Sequence, residues 1–194
     1  MKTTRFLASL MLATTLSSGA FAALSAKSED FIKKATIGNQ FEIDSSNVAL
    51  DRSTDAEVRD YAKQMVKDHQ MALKDLGEAA PSDSLPASTE LDAAHEKQLD
   101  ALRKVSDKQF DAAYIKAQTK AHDETVALFS SYAAKGDEPE LKAYAAAKLP
   151  RLKQHQAHVK SFKMTKDGYH ATHAMPKSTA EMKRPGEKPM AVQR

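Results

Sequence analysis

Between Phe31 and Phe162 apolar side chains recur every third or fourth residue in four long stretches, and nowhere do they alternate. That period belongs to helices with one buried face, and strands have no support in it. Glycine is scarce, 6 residues in 194, which favours the same class. A first helix is expected over about 28–50, capped by Ser28, with Glu29 and Asp30 in the first turn where acidic groups suit the helix dipole. A second opens at the capping box Thr54-Asp55-Ala56-Glu57 and stops at Gly77. A loop with Pro81 and Pro86 leads to a shorter helix over about 90–105, then to a long one over about 108–134 that ends at Gly136. The last begins at Asp137-Glu138-Pro139-Glu140 and runs to about Lys163. Pro150 is expected to kink it, because proline cannot donate to the carbonyl of Ala146.

The lengths of the connections limit how these helices are arranged. The first and last pairs are joined by a few residues each, which makes each pair antiparallel, whereas about thirty residues separate the second long helix from the third. The short helix inside that connection is roughly 24 Å long, enough to travel most of the way back along a bundle. Two hairpins joined by one long crossover define an all-α, ferritin-like four-helix bundle with a short fifth helix.

The two ends of the chain differ from its body. Residues 1–22 carry Lys2 and Arg5, an uncharged run from Phe6 to Leu16 and the A-x-A pattern Ala20-Phe21-Ala22, the marks of a signal peptide cleaved after Ala22. Export to a bacterial periplasm is the expected address, with no transmembrane span in the mature chain. With no cysteine, the chain has neither a disulfide framework nor a thiolate metal site. The bundle is expected over 23–163. Its charge is slightly acidic, whereas the segment 164–194 is basic, contains Pro176, Pro185 and Pro189, and reads as a disordered tail. Such a tail suits contact with a membrane surface or a polyanion, and His170, His173 and Met175 in it suit a weak copper site. No nucleic-acid partner is expected.

Each buried stripe contains a polar intruder. At 100° per residue the first helix turns Phe31, Ala35, Gly38, Glu42, Ser45 and Ala49 inward. The second turns in Val58, Ala62, Met65, His69, Ala72, Leu73 and Leu76, and the last Leu141, Ala145, Leu149, Leu152, His155, Val159 and Phe162. The third long helix has a wider apolar arc that encloses Asp111, Gln118 and His122, with Tyr114 nearby. Helix rise puts Glu42 roughly 12 Å, His155 roughly 14 Å, and His69 and His122 roughly 20 Å from one end of the bundle. His69, His122, His155 and Glu42 are therefore a candidate site for one transition metal, zinc, copper, manganese or iron, with Asp68, Asp111, Gln118 and Tyr114 as candidate supporting residues. The competing reading is a hydrogen-bonded network that fixes helix register, each histidine being satisfied by tyrosine, aspartate or a backbone carbonyl.

Other chemistry has little support. There is no phosphate-binding glycine loop, no G-x-S-x-G elbow and no H-E-x-x-H helix. A di-iron centre needs Glu-x-x-His on two helices, but Val66, Thr119 and Leu152 stand three residues before the histidines. Enzymatic turnover is accordingly not the expectation.

The stretches FIKKATIGNQFEIDSSNVAL, VRDYAKQMVKDHQMALKDL, FDAAYIKAQTKAHDETVALF and LKAYAAAKLPRLKQHQAHVKSF resemble the bacterial exported family catalogued as domain of unknown function 4142. The resemblance covers about Glu29 to Phe162. Its most specific pieces are Asp68-His69, the segment from Phe110-Asp111 to His122, and Leu149-Pro150-x-Leu152-x-x-His155. It implies a ferritin-like fold carried behind a signal peptide, and it singles out the same three histidines without supplying an activity.

Overall fold

A computed structural model describes residues 24–81, 84–85, 90–166 and 168–172. The segment 1–22, read as a signal peptide, lies outside the described residues. Five helices follow in order: α1 (Ala26–Arg52), α2 (Ala56–Ala79), α3 (Ala93–Lys104), α4 (Asp107–Lys135) and α5 (Pro139–Ser161). A hairpin of β1 (Phe162–Thr165) and β2 (Gly168–Ala171) closes the described chain. No described helix is long and apolar enough to cross a membrane.

Two caps differ from the sequence reading. Ser25, not Ser28, caps α1 by accepting from the amide of Ser28 at 3.2 Å. Ser28 is buried one turn further on, where its hydroxyl meets Tyr132 Oη at 2.6 Å and donates to Asp137 at 2.8 Å. Asp137 is thereby taken from the capping role expected at α5, whose cap, Glu138, makes no side-chain bond. Likewise Asp55 rather than Thr54 caps α2, accepting from the amides of Glu57 and Val58 at 3.0 and 3.1 Å. The α5 helix continues through Pro150 as a single element.

The connectivity is the expected one. Helices α1 and α2 pack along each other, as do α4 and α5, while contacts of α1 with α4 and of α2 with α5 close the ring. Ser46 meets Tyr114 near one end and Ser28 meets Tyr132 near the other, so α1 and α4 run antiparallel. The crossover helix α3 lies on α1 and α4. Arg52 fastens its end by donating to the carbonyls of Leu102 and Val105 at 2.7 and 2.6 Å and to Asp107 at 2.6 Å, with its guanidinium 4.7 Å above the Phe110 ring. Those bonds satisfy carbonyls that a helix end otherwise leaves orphaned.

The core has two apolar clusters with a polar layer between them. One cluster gathers Phe31, Leu76, Phe129, Tyr132, Leu141 and Tyr144, with Phe31 stacked on Tyr132 at 4.0 Å. The other gathers Val58, Tyr61, Met65, Phe110, Tyr114 and Val159. On every long helix the residues between the clusters include the polar intruders: Glu42, His69, His122 and His155.

Residues 164–165 and 168–171, read from sequence as the start of a disordered tail, belong instead to the strands of the hairpin. Composition argued for disorder because apolar residues are few, yet one aromatic and two amides anchor the segment. Tyr169 is buried in the second cluster, its amide donates to Asp55 Oδ2 at 2.6 Å, and the amide of Ala171 donates to Glu57 Oε2 at 2.6 Å. Gly168, at φ +124°, permits the approach, since a Cβ there would collide with Asp55 Oδ2. His170 of the suggested copper set pairs with Glu57 at 2.8 Å, and His173 and Met175 lie outside the described residues. Asp55 thus caps a helix and anchors the hairpin at once. Asp55→Ala is expected to cost about 1–2 kcal/mol in urea unfolding from loss of the cap, and to speed amide exchange at Tyr169.

Candidate metal centre

His69 on α2, His122 on α4 and His155 on α5 are 2%, 0% and 1% exposed, and they meet in the polar layer. Their ring centroids are 5.4–5.7 Å apart in all three pairings. One nitrogen from each ring lies within 4.8 Å of one from each of the others.

What stands behind each ring decides its tautomer. The Asn39 amide donates from Nδ2 to the carbonyl of Ala35 at 2.7 Å, which turns its oxygen toward Nδ1 of His69 at 2.8 Å. The backbone carbonyl of Gln118 can only accept, so Nδ1 of His122, 2.9 Å away, carries the proton. Asp68 accepts from Nε2 of His155 at 2.8 Å. With those protons fixed, the lone pairs fall on Nε2 of His69, Nε2 of His122 and Nδ1 of His155. These same three nitrogens are buried and have no hydrogen-bond partner among the described residues.

Asp68 is held in turn. Its carboxylate also accepts from Gln64 at 2.7 Å and from Arg151 Nε at 2.8 Å. Burial alone would raise its pKa, but the bonds from His155, Gln64 and Arg151 outweigh that and keep the carboxyl well below the usual range. Burial lowers the pKa of all three imidazoles, that of His122 to about 3, with the charge of neighbouring histidines adding to it at His69 and His122. They are neutral at pH 7.

Glu42 comes to the layer by another side. Its Oε1 is 3.4 Å from Nδ1 of His122, the protonated nitrogen, and it is outside the set of convergent donor atoms. Burial pushes its carboxyl up to about 8, with the Gln118 side chain pulling the other way. Gln118 itself is fully buried and donates from Nε2 to Ser45 Oγ at 3.0 Å. Tyr114 is bonded to Ser46 at 2.9 Å within the second apolar cluster. Asp111 is far from the histidines: eleven residues before His122 on α4 it is displaced by roughly 16 Å along the helix, and its charge is felt by Tyr169 instead.

Asn39 and Arg151 were absent from the sequence reading. Arg151 stands four residues before His155 on one helix face, a spacing that would have offered it as a partner for anything reaching that histidine. Asn39 falls beside the small-residue stripe of α1 and carries a weaker signal. As for the chemistry available, three neutral imidazoles can ligate one ion. Nitrogens at ~2.1 Å from a common ion lie roughly 3.5 Å apart, so the rings would draw together to share one. A di-iron centre does not fit, because among the described residues no carboxylate joins the cluster.

Fold and site together define a ferritin-like helical bundle with three histidines gathered in its core. The chain belongs to the family described as Domain of unknown function (DUF4142), which it matches over residues 13–162. No curated protein and no solved structure matches it. The family match ends where the hairpin begins.

The buried groups fix how the metal-free protein responds to pH. Histidines whose folded pKa lies below the ordinary value of 6.5 contribute stability that is complete above that pH and is lost as pH falls. Glu42, raised from 4.5 to about 8, acts in the opposite sense, and stability declines as pH rises through that window. Three imidazoles outweigh one carboxyl below pH 6.5, and above it Glu42 acts alone. Urea unfolding of metal-free protein is therefore expected to show maximal stability near pH 6.5. Stability should fall on the acid side as unfolding takes up protons, and Glu42→Gln should remove the decline on the alkaline side.

Proposed function

We propose that this protein is an exported bundle that binds one transition-metal ion in its core, for metal handling or envelope stress tolerance rather than turnover. The ligands are His69, His122 and His155. Asn39, Gln118 and Asp68 orient them, and Glu42 stands behind His122 as a charge partner and not as a ligand. The observation that carries this reading is the set of three buried imidazole nitrogens, each unpartnered and each from a ring whose other nitrogen is bonded. Leaving a buried polar atom unsatisfied costs about 1–3 kcal/mol. Three such atoms in one place are poorly explained by folding alone, and an ion would satisfy them together. Outer-shell bonding of this kind is how metal-bound histidines are held.

The alternative, a structural or interaction module of the envelope, draws support from the same outer bonds, since Asn39 ties α1 to α2 and Asp68 ties α2 to α5. It gives no role to the inner nitrogens. The signal sequence read in residues 1–22 supports a periplasmic location.

The first test is the elemental content of protein purified from the envelope without chelator, by plasma mass spectrometry. About one equivalent of a single metal is expected, lost in His122→Ala. With free metal 100-fold above its Kd, stability should rise by about 2.7 kcal/mol, a Tm increase of roughly 5–10 °C. Protein that is isolated metal-free and gains no stability from zinc, copper, manganese or iron would refute the proposal in favour of the structural module.

A further inference from the structure

An ion placed in a protein core must match its site in charge and in donor number, and the histidine triangle limits both. Among the described residues the convergent donors come from His69, His122 and His155, with no carboxylate among them. Two carboxylates stand behind imidazoles, Asp68 at 2.8 Å from Nε2 of His155 and Glu42 at 3.4 Å from Nδ1 of His122, while Asp123, whose charge also acts on His122, is paired with Lys160. Arg151 already balances Asp68 at 2.8 Å. The site therefore offers an incoming cation at most one negative charge, that of Glu42.

With Glu42 ionised, a monovalent ion leaves the layer neutral and a divalent ion leaves one charge uncompensated. With Glu42 protonated, each is worse by one. The ranking is the same in either state. Because the cost of desolvating an ion grows with the square of its charge, burial weighs against the divalent ion both times. A divalent ion could reach the lower charge by carrying hydroxide, but that adds a fourth ligand to histidines that are 0–2% exposed.

Donor number points the same way. Zinc completes a tetrahedron, and manganese prefers oxygen donors in an octahedron. Monovalent copper has a closed shell, is content with three ligands, and takes imidazole nitrogen. We infer that the triangle is selective for cuprous copper, held three-coordinate by Nε2 of His69, Nε2 of His122 and Nδ1 of His155. This rests on the metal-binding proposal above and gives it a particular ion.

The test is a direct competition. Metal-free protein, processed from the full chain, is mixed anaerobically with one equivalent each of Cu(I), supplied as its acetonitrile complex, and Zn(II). After gel filtration the retained metal is counted and X-ray absorption is recorded at the copper edge. Copper should be retained over zinc by at least about tenfold, with a spectrum of three nitrogen donors. Asp68→Asn keeps the shape behind His155 but removes the charge, and should weaken copper retention by about 10–100-fold. Zinc retained as well as copper, or copper with four or more donors, would overturn the selectivity while leaving metal binding at the histidines intact. Retention of neither metal would overturn this inference, and a lack of stabilisation by any of the four metals would overturn the underlying proposal with it.

Discussion

Three imidazoles can share the middle of a helical bundle only if each is held from behind, and here three different acceptors do so. An amide oxygen from α1, a backbone carbonyl of α4 and a carboxylate from α2 each accept a hydrogen bond from one imidazole. Two of these bonds cross between helices, Asn39 to His69 and Asp68 to His155, so the polar layer fixes the height of α1 against α2 and of α2 against α5. Apolar faces slide past one another at modest cost, but a displacement of one turn here would strand a carboxylate or an imidazole in the core. Buried polar networks specify register in this way, at some expense in stability.

That expense is borne by the clusters on either side. Aromatic pairs such as Phe31 with Tyr132 and Phe129 with Tyr144 pack one end, and Tyr61 with Phe162 packs the other. Such contacts add about 0.5–1.5 kcal/mol each beyond their burial. The ends are then tied by charged side chains acting on backbone, Arg52 on the crossover and Asp55 on the hairpin. Among the described residues, buried atoms of four helices lack hydrogen-bond partners together in the polar layer: Glu42, His69, Gln118, His122 and His155 all contribute. A local departure from the rules of core packing, confined to one level of the bundle and supported above and below, is where function is to be sought.

Much of this was legible in the sequence because helical periodicity reports directly on which side of a helix is buried. His69, His122, His155 and Glu42 were singled out from the stripe positions, and all four are buried. Periodicity does not report what a side chain reaches once inside. Asp68, about 100° from His69 on α2, gave no sign that its target is His155 on another helix, because that depends on how α2 and α5 lie together. Glu42 shows the complementary failure: its face was right, but it lies against the proton-bearing nitrogen of His122 and not among the convergent ones. Asp111 shared a helix arc with His122 but not its height. The caps shifted within a few residues because Ser25 and Ser28, or Thr54 and Asp55, are locally equivalent, and tertiary partners such as Tyr132 and Tyr169 chose between them. The hairpin was hidden because its anchors are carboxylates on α2, more than a hundred residues earlier.

The arrangement also bears on what a ferritin-like bundle does without its usual acids. Two iron ions need several carboxylates, whose charges both bind the metal and hold it against the cost of burial. Here Glu42, among the described residues, stands beside the histidines with an imidazole as its ion-pair partner, and burial favours its protonated form at neutral pH. Asp68 keeps its charge because Arg151 and His155 share it, so little of that charge is left for an ion. A core arranged in this way is neutral before anything enters it. On the metal-binding proposal, its histidines offer lone pairs without compensating charge, and such a site would select its ion by charge as much as by size.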